Sequence, residues 1–136
     1  MERLFLSRRK LNPYCMTSLD SVMEESSEAL IREAKLNLQA GDVPAARAPL
    51  HTILEQYPDH REGLYYLAVC ERQAGESTVA IELLDRLISK HPRYGRAYQE
   101  YGHNLAANKD AEGATEAFEK AVKLNPALMA SWQALL

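Results

Sequence analysis

The sequence predicts an all-α fold, a right-handed α-solenoid of antiparallel helix hairpins with three units and the start of a fourth. Three observations predict it. Pro58, Pro92 and Pro126 recur every 34 residues, the period of a helix–turn–helix repeat. In that register small residues return at the eighth position (Ala34, Ala68, Gly102) and at the twentieth (Ala46, Ala80, Ala114). Larger apolar residues return at the twenty-fourth (Leu50, Leu84, Phe118) and at the pair Ile53-Leu54, Leu87-Ile88 and Ala121-Val122. Two helices reach the ~8–10 Å axis separation of close packing only where the crossing side chains are small. One hairpin buries part of its apolar surface and a stacked neighbour buries the rest, so such units come in arrays.

Taken in order, residues 1–26 form a basic tail and helix lead-in. Arg3, Arg8, Arg9 and Lys10 precede Asn12-Pro13, and the run Leu4-Phe5-Leu6 is too short for a signal segment or a membrane span. Ser21-Val22-Met23-Glu24 reads as a capping box opening the first helix. Helices are expected at about 22–40, 43–57, 61–74, 78–91, 94–107 and 111–124, which assigns units to 27–60, 61–94 and 95–128. Apolar spacing supports them: Tyr98, Tyr101, Gly102 and Leu105 fall at i, i+3, i+4 and i+7, and Ala114, Ala117, Phe118 and Ala121 do the same. Gly41 and Gly75 stop helices, with Asp42 and Ser77 as N-caps of the next. Asn108-Lys109-Asp110 makes the same turn without glycine and is expected to be the least comfortable. Pro44 suits a first helical turn. Pro49 does not suit a helix interior: it removes the bond to the Ala45 carbonyl at a cost of roughly 3 kcal/mol and predicts a kink. Residues 129–136, "MASWQALL", begin a fourth unit, with a seventh helix from near 128. That stretch has no polar face of the kind that caps an array, so it reads as the cut edge of a longer chain.

This pattern resembles the tetratricopeptide repeat family over residues 27–136. The carriers are Leu64, Leu67, Ala68, Gly75, Ala80, Leu84, Leu87 and Pro92 in the second unit. In the third they are Tyr98, Tyr101, Gly102, Ala114, Phe118, Ala121 and Pro126. Trp132 and Leu135 match the family's W-x-x-L start. The first unit departs from the pattern at Glu33 and Asn37, where the family prefers apolar or aromatic residues.

The resemblance implies a concave groove lined by the first helix of each unit and a protein or peptide partner held in it. Its candidate residues are Arg32, Lys35, Tyr65, Tyr66, Val69, Arg72, Arg96, Gln99, Glu100 and His103. Tyr66 and Arg72 are expected to face the groove, since aromatics and arginine carry much of the energy of interfaces. Tyr65 suits packing between units equally well. A subset of the family clamps a peptide's terminal carboxylate at positions occupied here by Ile31, Lys35, Tyr66, Arg96 and Glu100. Only Arg96 keeps the charge that clamp needs, and Glu100 would repel a carboxylate.

Other function classes find little support. Lys and Arg number 16 against 19 Asp and Glu, a net charge of −3, so there is no basic excess for nucleic acid. Cys15 and Cys70 make neither a disulfide framework nor a metal spacing, and His51, His60, His91 and His103 are scattered. Gly95, Gly102 and Gly113 form no phosphate loop. The pairs Glu28–Arg32, Glu82–Arg86, Glu116–Lys120 and Glu119–Lys123 read as solvated helix faces. The expectation is a cytoplasmic interaction module with no catalytic residue, no cofactor and no metal, able to self-associate through its Trp132 end. The alternative is the N-terminal region of a larger enzyme. The stretch "YQEYGHNLAANKDAEGATEAFEKAVKLNPALMASWQALL" is similar to the repeat regions that precede the catalytic domain of bacterial tetratricopeptide sulfotransferases.

Overall fold

The computed structural model describes residues 13–128 with 132, 133 and 135, and side chains from residue 26 onward. Six helices follow in order: α1 (Pro13–Gln39), α2 (Val43–Gln56), α3 (Arg61–Gln73), α4 (Ser77–Lys90), α5 (Gly95–Ala107) and α6 (Ala111–Leu124). They pair as α1/α2, α3/α4 and α5/α6, each hairpin packing on the next, and no strand occurs among the described residues. The fold is an α-solenoid of stacked hairpins.

The first helix is longer than its sequence signals predict. It starts at Pro13, so the expected capping box at Ser21 and Glu24 lies inside it. Nothing between Tyr14 and Gln39 is a glycine or proline, and Pro13 suits the first helical position. Inside a continuing helix the N–H groups that the box would satisfy already bond four residues back. The basic cluster Arg3, Arg8, Arg9 and Lys10 lies outside the described residues, and so do parts of the expected seventh helix (129–131, 134 and 136). Residues 132, 133 and 135 are helical.

Caps and turns fix the other boundaries. Asp42 accepts from the Ala45 N–H at 3.2 Å and Asp110 from the Gly113 N–H at 3.0 Å. His60 caps α3, its Nδ1 accepting from the Gly63 N–H at 3.0 Å. Ser77 is not a cap: Glu76 holds the N-cap position of α4 without a side-chain bond, and Ser77 is already the first helical residue. Within each hairpin the chain reverses through a left-handed residue, at Gly41 (φ 80°), Gly75 (φ 86°) and Lys109 (φ 65°). In all three turns the next N–H returns to a carbonyl five residues back: Asp42 to Asn37, Glu76 to Glu71 and Asp110 to Leu105. Lys109 therefore accepts a conformation that carries a penalty for any residue with a Cβ.

Among the described residues, apolar clusters tie the hairpins together. Ile31, Ala34, Ala46, Leu50, Ile53, Tyr66, Leu67 and Cys70 join the first two hairpins. Leu64, Ala68, Ala80, Leu84, Leu87 and Ala97 join the second and third. Ala34, Ala46, Ala68 and Ala80 are fully buried at the crossings. In the third hairpin the pair changes in concert. Phe118 replaces the leucine of the other units, and Gly102 replaces the alanine it faces. A Cβ on Gly102 would lie 2.7 Å from the Phe118 ring.

Pro49 is buried, and α2 runs through it as one helix from Val43 to Gln56. The Ala45 carbonyl that Pro49 leaves without its helical donor receives the Asn37 side-chain amide at 3.2 Å. Asn37, a departure from the family pattern, thus repairs the other local irregularity of the same unit. Further polar ties cross between units. Arg47 forks onto Glu71, its Nε and Nη2 at 3.0 and 2.9 Å from the two oxygens. Arg86 donates to Asp59 at 3.2 Å and to the Pro58 carbonyl at 2.6 Å, reaching the preceding turn instead of Glu82.

Candidate functional site: the concave groove

The first helices α1, α3 and α5 lie side by side and carry the candidate groove residues. Arg32, Lys35 and Arg96 are exposed, and Tyr65, Val69, Arg72, Gln99 and His103 are half-buried. Tyr66 is only 9% exposed and belongs to the first core cluster, so, against the expectation that it faces the groove, its ring packs between units.

The tyrosines form one platform. Tyr65 meets Tyr66 edge-on with centroids 4.9 Å apart, and meets Tyr94 the same way at 5.9 Å. A cation stands over each ring: Lys35 Nζ 6.0 Å from the Tyr66 centroid, the Arg96 guanidinium 5.9 Å from Tyr65, and the Arg61 guanidinium 4.6 Å from Tyr94. Such contacts are worth ~0.5–1 kcal/mol at exposed sites. Burial pushes the Tyr94 phenol up to about 12 and raises that of Tyr65 as well. Both hydroxyls therefore keep their protons near neutrality and remain donors. Arg61 and Tyr94 were outside the sequence-derived groove. They bracket the second unit at its first and last positions and come together only because the turn before α5 folds back over the start of α3.

Glu100, at 3% exposure, is the buried charge of the groove floor. Arg72 Nε closes directly on its Oε2, Arg72 Nη2 lies 3.4 Å from Oε1, and Asn104 Nδ2 lies 3.5 Å from Oε2. Asn104 also donates to the Glu100 carbonyl at 2.9 Å, which leaves its own Oδ1 buried without a partner among the described residues. Burial raises the Glu100 pKa by more than Arg72 and Asn104 pull it back. Arg72 is 32% exposed and spends its fork on Glu100. His103 packs edge-on against Phe118 with centroids 5.1 Å apart, and burial, then Arg72, lowers its pKa.

On the opposite face a cleft of about 530 Å³ opens between α4 and α6 over Tyr98, Tyr101 and Leu105. Gly113 and Ala117 leave it open where the preceding unit has Val79 and Leu83. Lys120 already covers the Tyr98 ring, 5.2 Å from its centroid.

The tetratricopeptide repeat model matches residues 31–94 and again 71–128. The chain belongs to the tetratricopeptide repeat family. It is 31% identical over 85 residues to anaphase-promoting complex subunit 3 of Schizosaccharomyces pombe, covering 62% of this chain and 13% of that protein. A mutant O-GlcNAc transferase of Thermobaculum terrenum superposes with a TM-score of 0.78 at 24% identity, over 83% of this chain and 22% of that one. The first tetratricopeptide domain of Spaghetti (RPAP3), solved with an HSP90 peptide, superposes at 0.75 with 16% identity, over 82% and 90% of the two chains. At these identities the structural matches speak for the fold alone. They lend the sulfotransferase resemblance no support. No helix among the described residues is long and apolar enough to cross a membrane.

Proposed function

We propose that the array is a non-catalytic, cytoplasmic protein-interaction scaffold whose concave groove holds a segment of a partner protein. The observation that carries this reading is the platform itself. Three tyrosines are packed edge to face on one another, with Lys35, Arg96 and Arg61 over their rings. Rings held by packing offer contact area at little entropic cost, which is what binding surfaces select for. The domain of Spaghetti that shares this fold was solved with a bound peptide, which supports peptide binding as a use of the fold. Tyr66 and Arg72 are poor probes of the idea, because one belongs to the core and the other neutralises Glu100. Lys35 and Arg96 are exposed and serve better. The immobilised chain should capture its native partner from the source cell. The double variant Lys35→Ala/Arg96→Ala should lose most of that capture with an unchanged melting curve, whereas Glu119→Ala on α6 should retain it. Equal capture by all three would rule the groove out.

A further inference from the structure

Resting on that reading, we propose that the groove selects an acidic segment, whose side-chain carboxylates dock on Arg96 and Lys35 across the platform of Tyr65, Tyr66 and Tyr94. The chain as a whole is acidic, at −3, yet its groove is not. Arg32, Lys35, Arg61 and Arg96 outnumber Glu28 and Glu62 on the helices that line it, and none of the six takes part in an ion pair among the described residues. The remaining carboxylate, Glu100, is buried under Arg72 and cannot reach a ligand. A cationic segment would therefore find two carboxylates against four cations. It would also meet the exposed charges of Lys35 and Arg96 head-on.

An acidic segment finds the opposite. Among the described residues the ion pairs are Arg47–Glu71, Arg72–Glu100 and those of Asp59 with Arg86 and Lys90, and neither Lys35 nor Arg96 takes part in them. Both cations are parked over aromatic faces instead, 6.0 and 5.9 Å from the ring centroids. The guanidinium and the ammonium both supply hydrogen-bond donors, and a carboxylate is purely an acceptor. Recognition of this kind runs through internal side chains and needs no chain terminus, because Ile31 and the buried Glu100 stand where a terminal carboxylate would need donors.

The test uses the full 136-residue chain and short labelled peptides with amidated ends, one rich in Glu and Leu, its Gln counterpart and its Lys counterpart, read by fluorescence anisotropy. The Glu peptide should bind at least ~tenfold tighter than the Gln peptide at low salt, and that advantage should shrink as salt shortens the Debye length. Lys35→Glu and Arg96→Glu should each remove ~tenfold or more while the melting curve stays in place. If the Gln or Lys peptide binds as well as the Glu peptide and either substitution still weakens it, acidic selection is wrong and the groove reading survives. Tight binding of the Glu peptide that ignores both substitutions places the site elsewhere and overturns the inference. So does no binding by any of the three peptides, and partner capture by the Lys35→Ala/Arg96→Ala variant then decides the groove reading independently.

Discussion

Asn37 and Pro49 should be energetically coupled although they lie on different helices. Proline at 49 deprives the Ala45 carbonyl of its donor, and the Asn37 amide supplies one at 3.2 Å. That distance is at the long end for an N–H···O bond, and Asn37 is half-buried, so the bond is worth ~1 kcal/mol and not the full cost of a deeply buried orphan. Asn37→Ala should therefore destabilise the wild type by ~1 kcal/mol. Pro49→Ala returns the missing N–H to the ladder. It gains helix propensity of up to ~3 kcal/mol and loses about two buried methylenes, ~1.6 kcal/mol, with some added freedom in the unfolded chain. Its net sign matters less than the cycle. With Ala at 49 the carbonyl is satisfied locally, and Asn37→Ala should cost only ~0.3 kcal/mol, the residue reflecting the second lone pair of the oxygen. A coupling of ~0.7 kcal/mol follows, measurable by urea denaturation of all four proteins analysed with a common slope. Equal costs of Asn37→Ala in both backgrounds would refute the reasoning and make Asn37 an ordinary surface residue. Asn37→Leu sharpens the test: the family's apolar preference should reassert itself with Ala at 49 and not with Pro.

Three further outcomes are expected. Gly102→Ala drives a Cβ to 2.7 Å from the Phe118 ring and should cost ~1–2 kcal/mol despite its better helix propensity, whereas Phe118→Leu in the same chain should recover most of the loss on thermal melting. Lys109→Gly relieves a left-handed lysine (φ 65°) and should raise the urea midpoint by an amount equivalent to ~0.5–1 kcal/mol; an unchanged midpoint would mean the turn carries no strain. Burial lowers the His60 pKa below its ordinary 6.5, and the neutral ring caps α3, so the native state binds fewer protons there than the unfolded chain. Its contribution is present above pH 6.5 and lost as pH falls through the lowered value. His60→Asn keeps an acceptor without the titration and should flatten the stability profile on the acid side, as followed by denaturation at stepped pH.

The repeat frame was legible because it rests on volume. Ala34, Ala46, Ala68 and Ala80 are each fully buried where period and size place them, and Leu50, Leu84 and Phe118 pack opposite. What escaped depends on contacts between residues far apart in sequence. A capping-box string at Ser21 to Glu24 is a real local preference, yet a helix that has already begun at Pro13 satisfies the same N–H groups without it. Ser77 has the better cap chemistry, but the chain reverses one residue earlier, so Glu76 occupies the cap position. The tension at Lys109 could be read from the sequence because a left-handed turn residue is a backbone demand, stated locally and met by glycine in the two sister turns.

The groove was legible only as a set of positions, and its chemistry depends on how the charges there are partnered. Glu100 illustrates why. Read along the chain it is an acid that would repel the terminal carboxylate of a clamped peptide, and it leaves the charge of the groove mixed. In the fold it lies beneath Arg72, a residue from the preceding unit, and the two close on each other. One pairing across the unit boundary thus withdraws both a carboxylate and a cation from recognition, and the sign of the groove passes to Lys35 and Arg96. The same step explains why Arg72, which looks like a binding residue by type, is unsuited to the task. A guanidinium that left Glu100 for a ligand would abandon a nearly inaccessible carboxylate whose pKa is already raised by burial, and a ligand carboxylate would have to repay that cost before gaining any affinity. Arg96 leaves no buried carboxylate behind, since it gives up contacts with the Tyr65 face and with Tyr66 alone, and it is there that affinity should be won or lost.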